Sequence, residues 1–259
     1  MPAIDPGSTR DEAINERLDR FDSFMADEIA KRKEPQYLQT HWMRYRETVA
    51  SFDNHLRNLL GGTVLSLGGE SIFESWLASD YGFDLRVLRE DLREPWAVAS
   101  GSIDAVMALE VIEHIHDIPP QGRIHDTFEF SGVSFVLREV CRVLGSSGQF
   151  FLTPPNAVSV DIFLQVAEGL PPWQYEPHVR EFTLPQLESL CKEAGLSVAY
   201  SRTFFSWRPA SATSRQVGLE ALIGLGQDPA NRGDDIALMA TKRSFRASES
   251  VTWKAPHEV

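Results

Sequence analysis

The chain of 259 residues is short of cysteine, long apolar runs and basic charge. Its two cysteines, Cys141 and Cys191, lie in segments of helical periodicity at no metal-ligand spacing. They cannot build a disulfide framework and read as free buried thiols of a reducing compartment. No stretch of about 18 consecutive apolar residues occurs, which excludes an ordinary transmembrane helix. The opening residues are polar and acidic where a secretory leader is basic and then apolar, so the expectation is a soluble, cytoplasmic protein. Lys and Arg number 25 against 37 Asp and Glu, a net charge of −12. A surface of that sign repels phosphate backbones unless a basic patch is segregated, and none is visible, which disfavours nucleic acid as a partner.

What is present is an ordinary globular composition, 42% hydrophobic and 24% charged, suited to one large α/β domain with attachments. Apolar residues recur at helical spacing from Asp11 to about Leu60, broken near Glu34-Pro35, which predicts an N-terminal helical cap over 1–60. From Gly61 short apolar strands alternate with helices, the pattern of a mostly parallel sheet wrapped on both faces, over 61–243. The expected strands are Thr63 to Leu67, Asp84 to Leu88, Ile103 to Leu109, Gly148 to Thr153, Leu196 to Thr203 and Ile236 to Thr241. Helices are expected at Ile72 to Tyr81, Val133 to Leu144 and Leu184 to Ala194. Three long connections, His116 to Gly132, Asn156 to Glu181 and Phe205 to Asp234, are expected to be functional or to carry local structure. Residues 244–259 read as a loosely ordered tail. Only about 40 residues separate the starts of the first and third strands, and a βαβ unit takes roughly 30 or more, so one βα unit is expected to be missing.

Four segments in order resemble the class I S-adenosylmethionine-dependent methyltransferases, in particular their type 11 and ubiquinone-biosynthesis-like branch. They are "VLSLGGES", "GSIDAVMALEVIEHI", "LREVCRVLGSSGQFFLTPPNA" and "PHVREFTLPQLESLCKEAGLSV", spanning about Gly61 to Lys242. The resemblance implies a Rossmann-like sheet with S-adenosylmethionine as methyl donor. It also exposes departures: Ser66 stands where the family has an acid, and Glu70 and Ile72 where it has glycines. Gly68 and Gly69 can still bring backbone amides close to a ligand, ahead of a helix N-terminus that favours its carboxylate. Glu70 is a candidate partner of the methionine ammonium. Glu90 and Asp91 of "VLREDLREP" have the spacing expected of the ribose-binding acid, with Leu92 against the purine. Leu109 and, from the cap, Arg44 complete the cofactor set, Arg44 for the carboxylate and Trp42 or Tyr45 as a lid. The alternative is a structural strand-to-helix turn and a solvated charged turn that bind nothing.

"EVIEH" follows a buried strand at the edge where open α/β sheets bind ligands. If a helical turn begins there, Glu110, Glu113 and His114 stand at i, i+3 and i+4 on one face and make half of a divalent-metal site. Oxygen ligands favour Mg2+, and the imidazole leaves Zn2+ or Mn2+ open. The pentad also resembles the metal motif of ubiquinone-pathway O-methyltransferases and of small-RNA 3′-terminal ribose 2′-O-methyltransferases. That likeness implies His178 of "PHVREFT" as a fourth ligand beside Glu110, Glu113 and His114, binding neighbouring acceptor hydroxyls. Without a metal, His114 or His178 is the expected general base, with Glu113 beside them. His116, Asp117, His125 and Asp126 read as a solvent-facing loop cluster, and Trp173 and Tyr175 as rings packing on the acceptor or anchoring their loop.

The resulting expectation is O-methylation of a small-molecule or glycan hydroxyl. The alternatives are a non-catalytic methyltransferase-like binding module and an RNA ribose 2′-O-methyltransferase. The sequence leaves the acceptor and the oligomeric state open.

Overall fold

The computed structural model describes residues 10–118, 131–206 and 212–243. Two long helices open it, α1 (Arg10–Ala30) and α2 (Gln36–Leu56), parted at the expected break, where Pro35 occupies the N-cap position of α2. The sheet elements follow as β1 (Thr63–Leu67), α3 (Ile72–Tyr81), β2 (Asp84–Leu88), β3 (Ile103–Leu109), α4 (Ser131–Val143) and β4 (Leu144–Thr153). The closing half is α5 (Val160–Ala167), α6 (Leu184–Glu193), β5 (Leu196–Phe204), α7 (Ala212–Gly224) and β6 (Asp235–Lys242).

The six strands form one sheet in the order β2-β1-β3-β4-β6-β5. The first four are parallel, and β6 runs antiparallel to both β4 and β5. Alternate residues of each strand serve opposite faces. Leu65, Leu67, Val106 and Ala108 pack with Val136, Val140 and Leu187 of α4 and α6. Val64, Ala105 and Met107 pack with Phe21, Phe52 and Phe73 of α1, α2 and α3. Helices on both faces explain the apolar runs Ala105–Leu109 of β3 and Ile236–Ala240 of β6.

The shortened sheet is observed. Between β2 and β3 the segment Arg89–Ser102 holds neither helix nor strand, and β2 forms the sheet edge. Trp96 and Leu92 fill the space instead, both buried. Arg142 of α4 holds the segment by donating to the carbonyls of Val98 at 2.7 Å and Trp96 at 3.1 Å, while Glu139 accepts the Trp96 backbone N–H at 3.0 Å.

The first three strands and α3 have the expected bounds, whereas β4 begins earlier, at Leu144, and α4 at Ser131. Two of the long connections carry local structure, α5 and α7. His125, Asp126 and the tail 244–259 lie outside the described residues. Among the described residues no helix is long and apolar enough to cross a membrane.

Candidate functional site

Because β1 and β3 are parallel neighbours, their carboxyl ends lie side by side. The chain leaves β1 through Gly68 and Gly69 at φ +84° and +131°, values that glycine alone adopts freely. A Cβ on Gly68 would stand 2.9 Å from Cγ2 of Val111, so the glycine lets this turn close on the end of β3. Ser66, in place of the family's acid, donates its hydroxyl to the Gly69 carbonyl at 3.1 Å and so shapes the loop. Ser71 then caps α3 by accepting the Phe73 N–H, and Glu74 accepts the Ser71 N–H at 3.1 Å, completing a capping box.

Over this turn is a cavity of about 210 Å³. Gly68, Gly69 and Glu70 form one wall, Leu109, Glu110 and Thr153 another, and Tyr37, Arg44, Tyr45 and Thr48 of α2 the third. Tyr45 stacks on Phe73 of α3, with ring centroids 4.5 Å apart, which seats α2 against the turn. Glu70 does not plug the hollow. Its carboxylate accepts from the Ser75 hydroxyl at 2.8 Å and lies 3.6 Å from Arg89.

Arg44 and Glu110 face each other in the cavity, Nη1 to Oε2 3.2 Å, with side chains 10% and 13% exposed. Glu110 has φ +57°, a left-handed conformation uncommon for a residue with a Cβ. Burial pushes its carboxyl up to about 8, against the opposing pull of Arg44. Its Oε1 is buried without a hydrogen-bond partner. Asp235, at the head of β6, is fully buried beside Arg44 and Glu110, and burial likewise pushes its carboxyl well up. The sequence signal for this residue is local: two acids, Asp234 and Asp235, immediately precede the apolar run of β6.

The expected helical turn at "EVIEH" is corrected to a 3₁₀ turn over Ile112–His114, with Glu110 outside it. Glu110 therefore does not share a face with Glu113 and His114. Ligand atoms of Glu113, His114 and His178 lie within 4.8 Å of one another, so the structure brings together three of the four residues of the metal set and places the fourth, Glu110, in the cavity with Arg44. Glu113 is fully buried, both its carboxylate oxygens lack hydrogen-bond partners, and burial pushes its carboxyl up to about 8. The His114 and His178 rings meet edge to face at 4.9 Å. Burial, then the neighbouring His178, pushes the His114 imidazole down. The loop carrying His178 is fastened to this turn: the backbone N–H groups of Val179 and Arg180 donate to the Glu113 carbonyl at 2.9 and 3.3 Å. Arg180 also pairs with Asp117, giving that loop acid a tethering role, while His116 is exposed.

The register Leu67↔Leu88 sets the turn after β2 beside the glycine loop, and Glu90 is exposed there. Asp91 is held by Arg93 at 2.7 Å, which lowers its carboxyl to about 2. Leu92 is buried in the core, and its carbonyl accepts the Trp96 indole N–H at 3.2 Å. Trp42 donates its indole N–H to Asp22 at 2.7 Å, which ties it within the cap. Trp173 and Tyr175 are 44% and 55% exposed, and the Tyr175 ring lies 5.3 Å from that of His178.

A Rossmann-like sheet with a glycine turn and a cavity at its carboxyl edge defines the class, that of the class I methyltransferases. The profile of the methyltransferase-domain family matches residues 3–201, and the chain belongs to that family. Similar solved structures include a SAM-dependent methyltransferase from Archaeoglobus fulgidus, 15% identical, covering 76% of this chain and 94% of that one with a TM-score of 0.52. Another is the complex between the Haloferax volcanii Trm112 methyltransferase activator and a methyltransferase, 14% identical over 88% of this chain and 97% of that one, TM-score 0.51. At such identities the likeness is one of fold. No curated protein sequence matches the chain.

Proposed function

We propose that the protein transfers the methyl group of S-adenosylmethionine to a hydroxyl of a small-molecule or glycan acceptor, in the cytoplasm. The observation that carries this reading is the open, glycine-walled cavity holding Arg44 and Glu110, 3.2 Å apart, at the end of β3 that leads into Glu113 and His114. An α-amino acid is a zwitterion, and the pair offers it both complements: Arg44 takes the donor's carboxylate and Glu110 its ammonium. Glu70, engaged by Ser75, flanks the same end, and Glu90 and Asp91 border the ribose. The acceptor enters from the loop bearing His178, Trp173 and Tyr175. Alignment of the acceptor oxygen with the methyl group and exclusion of water supply most of the catalysis.

Glu113 has two buried oxygens with no protein partner, a state that a cation relieves, so the residues fit a divalent metal. Glu113, His114 and His178 would hold it, Mg2+ or, with two imidazoles, Zn2+ or Mn2+. Such an ion supplies a Lewis acid that lowers the pKa of a bound hydroxyl. Without a metal, His114, half exposed, would accept the proton that the acceptor loses.

Calorimetry with S-adenosylmethionine tests the donor site, and absence of heat at millimolar ligand would leave a non-catalytic binding module. A chelator and, separately, Glu113→Ala test the acceptor half. Both are expected to abolish turnover while leaving donor binding within about threefold, since Glu113 does not line the donor cavity. Unchanged turnover would point to a metal-free transfer to nitrogen or carbon.

A further inference from the structure

Glu181 lies three residues beyond His178. Its Oε1 stands 2.9 Å from His178 Nδ1 and 2.6 Å from the backbone nitrogen of Gln174. The side chains of His178 and Glu181 are 8% and 3% exposed, so this contact is shielded from water. The Gln174 N–H can only donate, so Oε1 accepts there, and as a carboxylate it can only accept from the imidazole nitrogen as well, which puts the ring proton on Nδ1.

We infer that Glu181 is a positioning residue that fixes His178 in the tautomer protonated on Nδ1, so that Nε2 is left as a lone-pair donor for the ligand bound at Glu113 and His114. A histidine free to exchange tautomers presents a lone pair only part of the time, and one whose second nitrogen is held by a carboxylate presents it always. The surrounding chain supports the same orientation. His178 donates its own backbone N–H to the Tyr175 carbonyl at 3.0 Å, and the next two residues bond to the Glu113 carbonyl. Backbone and ring are thus fixed independently, the first by the turn at Glu113 and the second by Glu181. A residue that merely tethered the loop would need only the Gln174 bond.

This inference rests on the site proposed above, but its primary test does not need turnover. Long-range ¹⁵N correlation spectra of the histidine-labelled protein at a pH of about 8.5, above the ordinary histidine range, report which ring nitrogen bears the proton. His178 is assigned by the signal lost in His178→Gln. The wild type is expected to show Nδ1 protonated. Glu181→Gln, whose amide oxygen can accept both bonds, is expected to keep that pattern, and Glu181→Ala to shift it toward Nε2–H. In turnover, Glu181→Ala is expected to lower kcat by about 10- to 100-fold with KM for the donor unchanged, Glu181→Gln recovering most of the loss. Protonation on Nε2 in the wild type, or an unchanged pattern in Glu181→Ala, overturns the inference. If Glu181→Ala fails to fold, the wild-type and Glu181→Gln spectra decide. An inactive wild type with Nδ1 protonated would sink the proposed reaction and leave the tautomer assignment standing.

Discussion

Arg44 is a buried cation with more acids around it than it can neutralise, Glu110 and Asp235 nearest in effect. Replacing it with alanine is expected to raise the calorimetric Kd for S-adenosylmethionine about 10- to 100-fold, the worth of a charge-assisted bond of about 1.5–3 kcal/mol. Lysine should restore part of that. The excess of acid has a second consequence. Burial raises the Glu110 and Glu113 carboxyls from 4.5 to about 8, so the folded protein keeps protons that the unfolded chain has released. Their contribution to stability is therefore complete below the unfolded value and is lost as pH rises through the folded one. The melting temperature of the chelator-treated apoprotein is expected to fall between about pH 5 and pH 8.5, and Glu113→Gln should flatten that fall. The sequence marked Arg44 as a candidate for the cofactor carboxylate but not its pairing with Glu110. That pairing depends on a left-handed backbone at Glu110, which no periodicity discloses. At Gly68, alanine would meet both an unfavourable φ and the Val111 side chain, so Gly68→Ala should cost about 1–2 kcal/mol in denaturant unfolding and abolish detectable donor binding.

At the scale of elements, β1, β3 and β6 were legible because burial on both faces writes most of each as an apolar run, and the count of residues between strands disclosed the absent unit. What replaces that unit was not legible. The segment Arg89–Ser102 is stabilised by distant partners, Glu139 and Arg142 of α4, with no local pattern of its own. Arg142→Ala strips two carbonyls of their donor and is expected to cost about 2 kcal/mol, read as a lower urea midpoint with an unchanged slope. The helices α5 and α7 escaped for different reasons. The first is eight residues long, shorter than a window over which helical periodicity can be counted. In the second, apolar side chains fall on both sides, with Leu222 buried and Val217 and Ile223 exposed. The turn at Glu113 was placed correctly along the chain but given the wrong pitch, and one residue of the expected metal set moved to the neighbouring cavity as a result.

For the whole molecule, the net charge of −12 opposes the RNA reading that the "EVIEH" likeness alone would allow. A gel-shift titration with short RNA at about 0.15 M salt is expected to show no complex, and a salt-sensitive shift at micromolar protein would restore that reading. The division drawn at residue 60 separates helices from sheet along the chain but cuts through the cavity proposed for the donor, because α2 contributes Tyr37, Arg44, Tyr45 and Thr48 to its wall. The chamber is therefore a joint between two parts of the polypeptide, and a guest lodged there glues them together. Amide hydrogens of α2 should consequently exchange more slowly when S-adenosylhomocysteine is added, although most of that helix never meets the ligand.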